Sequence, residues 1–559
     1  MIPPGTYRLA PVGDDKVVWS LRGAKDVEIV AENVVLVSTK LTRALALDAC
    51  SGLTLRGLTV DYDPLPFTQG VVTEVAEDKS WIDVKIHAGY PLQPYARIDM
   101  IDPATRYRKR GMPFLWGTQA ELKDDVVRIS LPNIGAAAQT GDLASLNTGP
   151  APDGVPHAIS IEHCNEVTLD KVTVHSAPGM GILEADGEGN SRYQSCKVVP
   201  GPRPPGASED RLLSTSWDAI QTKTVRFGPK VEDCEIREAG DDSWSVQSSD
   251  YLVLKNEGKK LILASRDEFT DGVQIGDRLR SSLAAKAEGK VVASRGLSRE
   301  EAGLAPELLA KLKEAPQWSE WKVSPQCIEV ELDTHLPAGV GDSLFSPDRM
   351  CNGFSFLRNR IHSPGRVLNK ASGVMQENVL DTPHSIVVCP ELPEKAAAGI
   401  HQLVFRKNHI RRAGWFCPAP WSSQAGALSI TAAGKPPALR PAGVFSCIFI
   451  ENNTFEECEG PNLVMSSTAS ARVVGNRFIR PMGSKPPETG ASYGIPSDTV
   501  MWFAESNGLD IRSNPVTERG SFAKEDRRMG PNAALAGPRM IPNRTPQSHV
   551  HPEDRIEEK

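Results

Sequence analysis

The sequence has no basic excess: Lys+Arg number 63 against Asp+Glu 70, a formal net charge of -7 over 559 residues. That removes the usual reason to expect nucleic acid or an anionic membrane surface as a partner. Nor does any apolar run approach the roughly 20 residues needed to span a bilayer; the longest pieces are as short as GVFSCIFI. The ten cysteines contain no C-x-x-C pair, so they form neither a disulfide framework nor a zinc pattern and read as small buried hydrophobes. The opening MIPPGTYRLAP enters strand-like sequence at once, without the basic, apolar and cleavage regions of a secretory signal. Two locations are open: export to the periplasm or exterior, with the signal outside this sequence, or the cytoplasm.

What the chain does have is a repeat. A motif of five or six residues with an apolar start, a small residue or Asn near its centre and an apolar end recurs as LRGLTV (55–60), LDKVTV (169–174), YQSCKV (193–198), VEDCEI (231–236), LRNRI (357–361), MQENVL (375–380), FRKNHI (405–410), IENNTF (450–455), VGNRF (474–478) and IRSNPV (511–516). Neighbouring centres are as close as 19 residues (Asn359 to Asn378), 23 (Asn453 to Asn476) or 24 (Val172 to Cys196). Such steps are the circumference of one short coil, and stacked coils make a right-handed parallel β-helix, an all-β solenoid in which alternate residues form one continuous core. Asn at one corner of successive coils predicts a ladder of side-chain amides, helped by the tolerance of Asn for turn angles.

Two intervals exceed one coil, 58 to 172 and 234 to 359, and each implies an inserted antiparallel β-barrel-like module. The organisation expected is N-terminal coils (1–63), a first insert (64–153), further coils (154–249), a second insert (250–350), C-terminal coils (351–516) and an irregular tail (517–559). Within the second insert, Leu304, Leu308 and Leu312 repeat every four residues and predict a helix over 298–315.

Chemistry enters with REAGDDSWSVQSSD (237–250), which sets Asp241 beside Asp242 at a strand entrance. Asp218, in STSWDAIQTK, lies 24 residues before Asp242, one coil upstream. Strands in adjacent coils are about 4.8 Å apart, so the three carboxylates converge on one patch. Paired carboxylates carry out glycoside hydrolysis, and crowding of like charge raises at least one apparent pKa, giving an acid beside a base. Coil alignment adds Glu184 about one coil before Asp218, and Arg366 and Lys370 after the pair. Arg366 offers planar donors for a sugar hydroxyl, and Trp244 or Trp415 a stacking face. Each has a plainer structural role: Glu184 as a solvated coil edge, Arg366 as an ion-pair partner of the acids, Trp244 as core.

LRGLTVDYDPLPFTQGVV (55–72), Asp218, EAGDD (238–242) and GRVLNKASGVMQENVL (365–380) resemble the glycoside hydrolase family 110 α-galactosidases, right-handed parallel β-helix enzymes. The likeness runs from about residue 3 to 516. The run after the acidic pair, SWSVQSS, differs from the His- and Gly-containing continuation of that family. The resemblance implies exo-acting, inverting removal of terminal α-1,3-linked galactose from an oligosaccharide or polysaccharide, without a metal or other cofactor. It also implies that Asp241 and Asp242 activate the attacking water and that Asp218 is the third acid; the candidates for proton donor, Asp218 and Glu184, come from coil geometry alone. Two rival functions stand beside it: a Ca²⁺-dependent polysaccharide lyase using Arg or Lys as base, and a non-catalytic glycan-binding β-helix. Association with further copies of the chain is left open.

Overall fold

The computed structural model describes residues 1–536 other than 14, 96, 113–114, 116–118, 131–136, 148–155, 266–272, 282–286, 299, 304–305, 307–326, 391–398, 417–424, 435 and 486–489. Its backbone is a right-handed parallel β-helix built from a 12-stranded parallel sheet and a 22-stranded sheet. Period-two alternation produces the core. On the 12-stranded sheet Ile182, Ile220, Trp244, Val367 and Ile386 occupy one register position on successive strands, and all are buried. The alternate positions Leu183, Gln221, Ser245 and Leu368 are paired in the same way and face outward. Coil stacking gives each strand two partners, so open ladder edges occur only at the two ends. Trp244 is core, fully buried and 4.5 Å from Phe356 between ring centroids.

In the larger sheet the first three coils contribute one strand each and the later ones two short strands on either side of a corner. The residue that turns the corner is left-handed in every copy: Lys171 (φ 55), Ser195 (φ 54), Asp233 (φ 56), Arg358 (φ 55), Glu377 (φ 58), Lys407 (φ 52), Asn452 (φ 56) and Ser513 (φ 55), with Gly57 and Gly475 in the same role. The repeated Asn comes one residue later and points inward. Its value therefore lies in the amide and not, as expected from the sequence, in tolerance of turn angles. Asn359 Nδ2 donates to Asn378 Oδ1 (3.2 Å), and the chain continues through Asn408 (2.8 Å), Asn453 (3.0 Å), Asn476 (2.9 Å) and Asn514 (3.0 Å). Each Oδ1 also accepts the backbone N–H of the Asn before it, as Asn408 Oδ1 does from Asn378 N–H (3.1 Å). Replacing Asn408 by Leu orphans two donors in the preceding coil, Asn378 N–H and Nδ2, and removes the Nδ2 donor from Asn453 Oδ1 in the following one, and is expected to cost about 3 kcal/mol. Asn514→Leu, at the ladder's end, is expected to cost less; chemical denaturation of the two variants against the parent checks the order.

The first insert is a six-stranded antiparallel sheet within residues 67–147, with its own core around Phe67, Ile82, Val84, Ile98, Val127 and Leu146. The second, within 250–345, closes into a six-stranded barrel around Tyr251, Leu263, Val330 and Leu344. A buried guanidinium ties the barrel to the solenoid. Arg349 pairs with Asp277 of the barrel and donates to the carbonyls of Gly187 (2.9 Å) and Asp186 (3.3 Å).

The helix expected over 298–315 falls largely outside the described residues; of those described, 300–303 form a turn and Pro306 is helical. The expected irregular tail is corrected. Glu525–Met529 pairs with Thr499–Ala504, and Ala533–Leu535 with Ser506–Arg512, so a further coil ends the described chain. Its strands, EDRRM and AAL, face solvent beyond the last rung and carry no apolar alternation, as a solenoid cap requires. Residues 537–559 lie outside the described chain. No helix among the described residues is long and apolar enough to cross a membrane. Eight of nine described cysteines are buried.

Candidate active site

The acidic residues sit where the larger sheet turns into the smaller one. Glu235–Arg237 ends, a turn of Glu238 to Asp242 follows, and Trp244–Gln247 begins. One rung earlier the same turn carries Asp218, and one rung later Arg366. The backbone fixes this stacking: Ala219 N–H donates to Asp242 O (2.9 Å) and Ser243 N–H to Arg366 O (2.7 Å). Glycine lets the turns approach so closely. A Cβ on Gly240 would lie 2.6 Å from the carbonyls of Ser216 and Thr215, and one on Gly365 would lie 1.9 Å from Asp241 O.

The expected convergence is present. One carboxylate oxygen from each of Asp218, Asp241 and Asp242 lies within 4.8 Å of the others. Their surroundings differ. Asp218, 5 % exposed, accepts hydrogen bonds at Oδ2 from Gln221 Nε2 (2.9 Å) and Ser245 Oγ (3.0 Å). Burial, and then the charges of Asp242 and Asp241, hold its pKa well above the usual carboxylate range. Asp242 is clamped by Arg366, Nε to Oδ1 at 2.7 Å and Nη2 to Oδ2 at 2.8 Å. Asp241 keeps 27 % of its side chain in the open; its pKa is also raised, chiefly by burial of its surroundings, with Arg97 opposing.

Arg97 is a site residue that the sequence did not reveal. It comes from the first insert, is 2 % exposed, donates to the carbonyls of Ser216 (3.0 Å) and Gly240, and places Nη1 3.6 Å from Asp241 Oδ2. No coil spacing could align it, because the insert has no repeat. Arg366 takes the plainer of its two readings as an ion-pair partner, within the acidic site itself. His384, buried on the next turn, is held neutral by burial and by the neighbouring charges of Arg366 and Arg108.

Three expected site residues are elsewhere. Glu184 belongs inside the solenoid. It pairs in register with Ile161 and Thr222, is 1 % exposed, and accepts from Ser191 Oγ (2.6 Å) and Tyr193 OH (2.9 Å). The rung mate of Asp218 is Met180, since Gly181 N–H donates to Asp218 O. The loop at 199–214 stretches this coil to 38 residues (180 to 218), so counting 24 back could not find the right partner. Lys370 lies at the far end of the strand that Arg366 starts, four residues on, or about 13 Å along it. Trp415 stands on a later turn, where it lines a separate cleft of about 410 Å³ with Tyr107, Arg108, Lys109, Arg110 and Arg412.

Glu184 provides a pH test of its own. Burial raises its pKa to about 6, above the ordinary value near 4.5. The fold then binds this proton more tightly than the unfolded chain does, so its contribution to stability is lost as pH rises from 4.5 to 6. Glu184→Gln is therefore expected to narrow the stability gap between pH 4.5 and pH 7 by about 2 kcal/mol, measured by urea unfolding at both values.

No protein-family profile matches the chain, and no curated protein matches it. Among solved structures it is similar to a family 28 exopolygalacturonase from Yersinia enterocolitica, at 9% identity and a TM-score of 0.37 over 96% of this chain and 71% of that one. It is also similar to the catalytic unit of a GH87 alpha-1,3-glucanase from Streptomyces thermodiastaticus, at 9% identity and 0.22 over 84% and 96%. A PL6 alginate lyase aligns at 10% identity and 0.19 over 97% and 82%. At such scores these likenesses carry no argument about chemistry, and membership of family 110 is not shown.

Proposed function

We propose that the chain is a carbohydrate-active enzyme, a glycoside hydrolase that removes terminal α-linked galactose from an oligosaccharide or polysaccharide with inversion. The observation that carries this reading is the trio itself: three carboxyls gathered at one turn, one exposed and two held, with two guanidinium groups beside them.

Division of labour follows from the surroundings. Asp241 is the one member of the trio that is partly open, at 27 %, and its pKa is raised, so it both keeps a proton and can reach the leaving glycosidic oxygen, which makes it the proton donor. Two oxygens no more than 4.8 Å apart can both lie about 2.8 Å from one water. Asp242 is placed to take the proton of such a water as its oxygen attacks the anomeric carbon, while Asp218, whose pKa is held up, helps to hold that water in place. Asp242 has both oxygens on the Arg366 fork and Asp218 is buried, which leaves neither as a bare nucleophile; inversion rests on that, against an oxygen spacing of at most 4.8 Å that by itself is nearer the retaining separation of about 5–5.5 Å. Glu184, inside the solenoid, has no part.

The test is turnover of a panel of aryl and natural α-galactosides, with NMR detection of the first anomer released. β-Galactose appearing first supports the proposal. No turnover sinks the activity, and α-galactose first sinks the inversion. The spacing of the three oxygens also suits a divalent cation, which keeps a Ca²⁺-dependent lyase as the second reading. Activity abolished by EDTA, with an unsaturated product absorbing in the ultraviolet, would replace the hydrolase with that one.

A further inference from the structure

The cleft that holds Trp415 lies in line with the acids. Going from the strand at Trp244 to those at Val367, Ile386 and Leu428 is three rungs, about 14 Å along the solenoid. The first insert walls the whole way. Its strand Arg97–Ile101 starts at Asp241 and leads into the turn that presents Tyr107, Arg108, Lys109 and Arg110 to the cleft. Contacts bridge the interval: Arg108 reaches Asp99 (3.0 Å) and stacks on Phe416 (4.3 Å), which packs against His384 (5.4 Å between centroids).

Cations and aromatic rings alternate in this cleft. Arg110 lies 4.9 Å over Trp415, and Arg412 lies 5.0 Å over Tyr107. Their acidic partners are set behind them. Asp381, which takes Nε and Nη2 of Arg412, is 8 % exposed, while Arg412 exposes 37 % of its side chain. Glu459, 3.7 Å from Arg110, is 7 % exposed, while Arg110 exposes 53 %. Asp102 turns its carboxylate onto the N–H groups of Ala104 (3.0 Å) and Thr105 (2.9 Å) in its own turn. Asp102 is the one acidic residue lining the cleft, with its Oδ1 taken by those two N–H groups, against the four cations Arg108, Lys109, Arg110 and Arg412, and each guanidinium carries five donors of which only some go to described groups. Guanidinium forks beside an indole face fit a sugar ring that carries an oxyanion.

We propose that this cleft is a subsite for an anionic sugar unit of the substrate, bearing a sulfate ester or a carboxylate and lying about three rungs from the bond that is cut. This deepens the hydrolase reading and rests on it for the direction of the chain, but the binding itself can be measured without turnover.

Three probes separate the outcomes: a sulfated galactan oligosaccharide, the same oligosaccharide chemically desulfated, and an oligogalacturonate. Binding is measured by calorimetry to the full chain carrying Asp241→Asn, and again with Arg110→Ala or Trp415→Ala added. The expected result is that at least one anionic probe binds about tenfold or more tighter than the desulfated one, weakens with salt, and loses that advantage in both cleft variants. Which anionic probe wins names the oxyanion. Equal binding of all three overturns the proposal, as does anionic preference that survives both substitutions. Failure of aryl hydrolysis with anion binding intact would remove the hydrolase and keep the subsite.

Discussion

Asp241→Asn is expected to lower turnover of a natural α-galactoside by about a thousandfold, the usual worth of a positioned proton donor. The melting temperature should be equal or higher. Arg97 keeps its bonds to the carbonyls of Ser216 and Gly240, and one of three crowded like charges is gone. The variant also separates roles. A proton donor matters only where the leaving oxygen needs a proton, so an aryl galactoside with a strongly acidic phenol should recover most of the lost rate. A residue that holds the attacking water would cost both substrates alike, which is the pattern expected of Asp242→Asn. With wild-type protein, kcat should fall on the alkaline side as Asp241 ionises, and the raised direction of its pKa moves that fall toward neutral pH. Equal losses of Asp241→Asn on both leaving groups would reassign the donor.

The solenoid was legible because it repeats. Cys196, Cys234 and the six asparagines recur at one corner, and the same period brought Asp218 beside Asp242 without reference to any structure. Legibility ended where the period did. Glu184 was misplaced because its coil is 38 residues long, so the residue that stacks on Asp218 is Met180. Arg97 and the turn 102–110 were invisible because an inserted sheet contributes to the site through docking, which no spacing in the chain encodes. The terminal coil escaped notice for a related reason: a cap need not bury its outer face, and EDRRM has no apolar alternation to read. Arg366 was found, but spacing alone left its role divided between substrate and acids; the fork geometry assigns it to Asp242.

That fork should be the most costly side chain of the site to remove. Arg366 and Asp242 expose only 15 % and 5 % of their side chains, and the neighbouring Asp218 and Asp241 bring two more acidic groups to within 4.8 Å. Arg366→Met leaves a largely buried carboxylate without its counter-charge, which costs roughly 3–5 kcal/mol in comparable buried pairs. The loss should grow with pH. Asp218 and Asp241 are already raised, with the Arg366 charge opposing; without the guanidinium they are held further above their unfolded values, so the fold keeps their protons at low pH and pays for ionisation as pH rises. Urea unfolding is therefore expected to show a larger deficit for Arg366→Met at pH 8 than at pH 5. Adding Asp242→Asn should restore much of the stability, since an amide in that place needs no counter-charge, while turnover stays lost in both variants. A deficit independent of pH, or a double variant no more stable than the single one, would mean that Arg366 serves packing and not the charge of the trio.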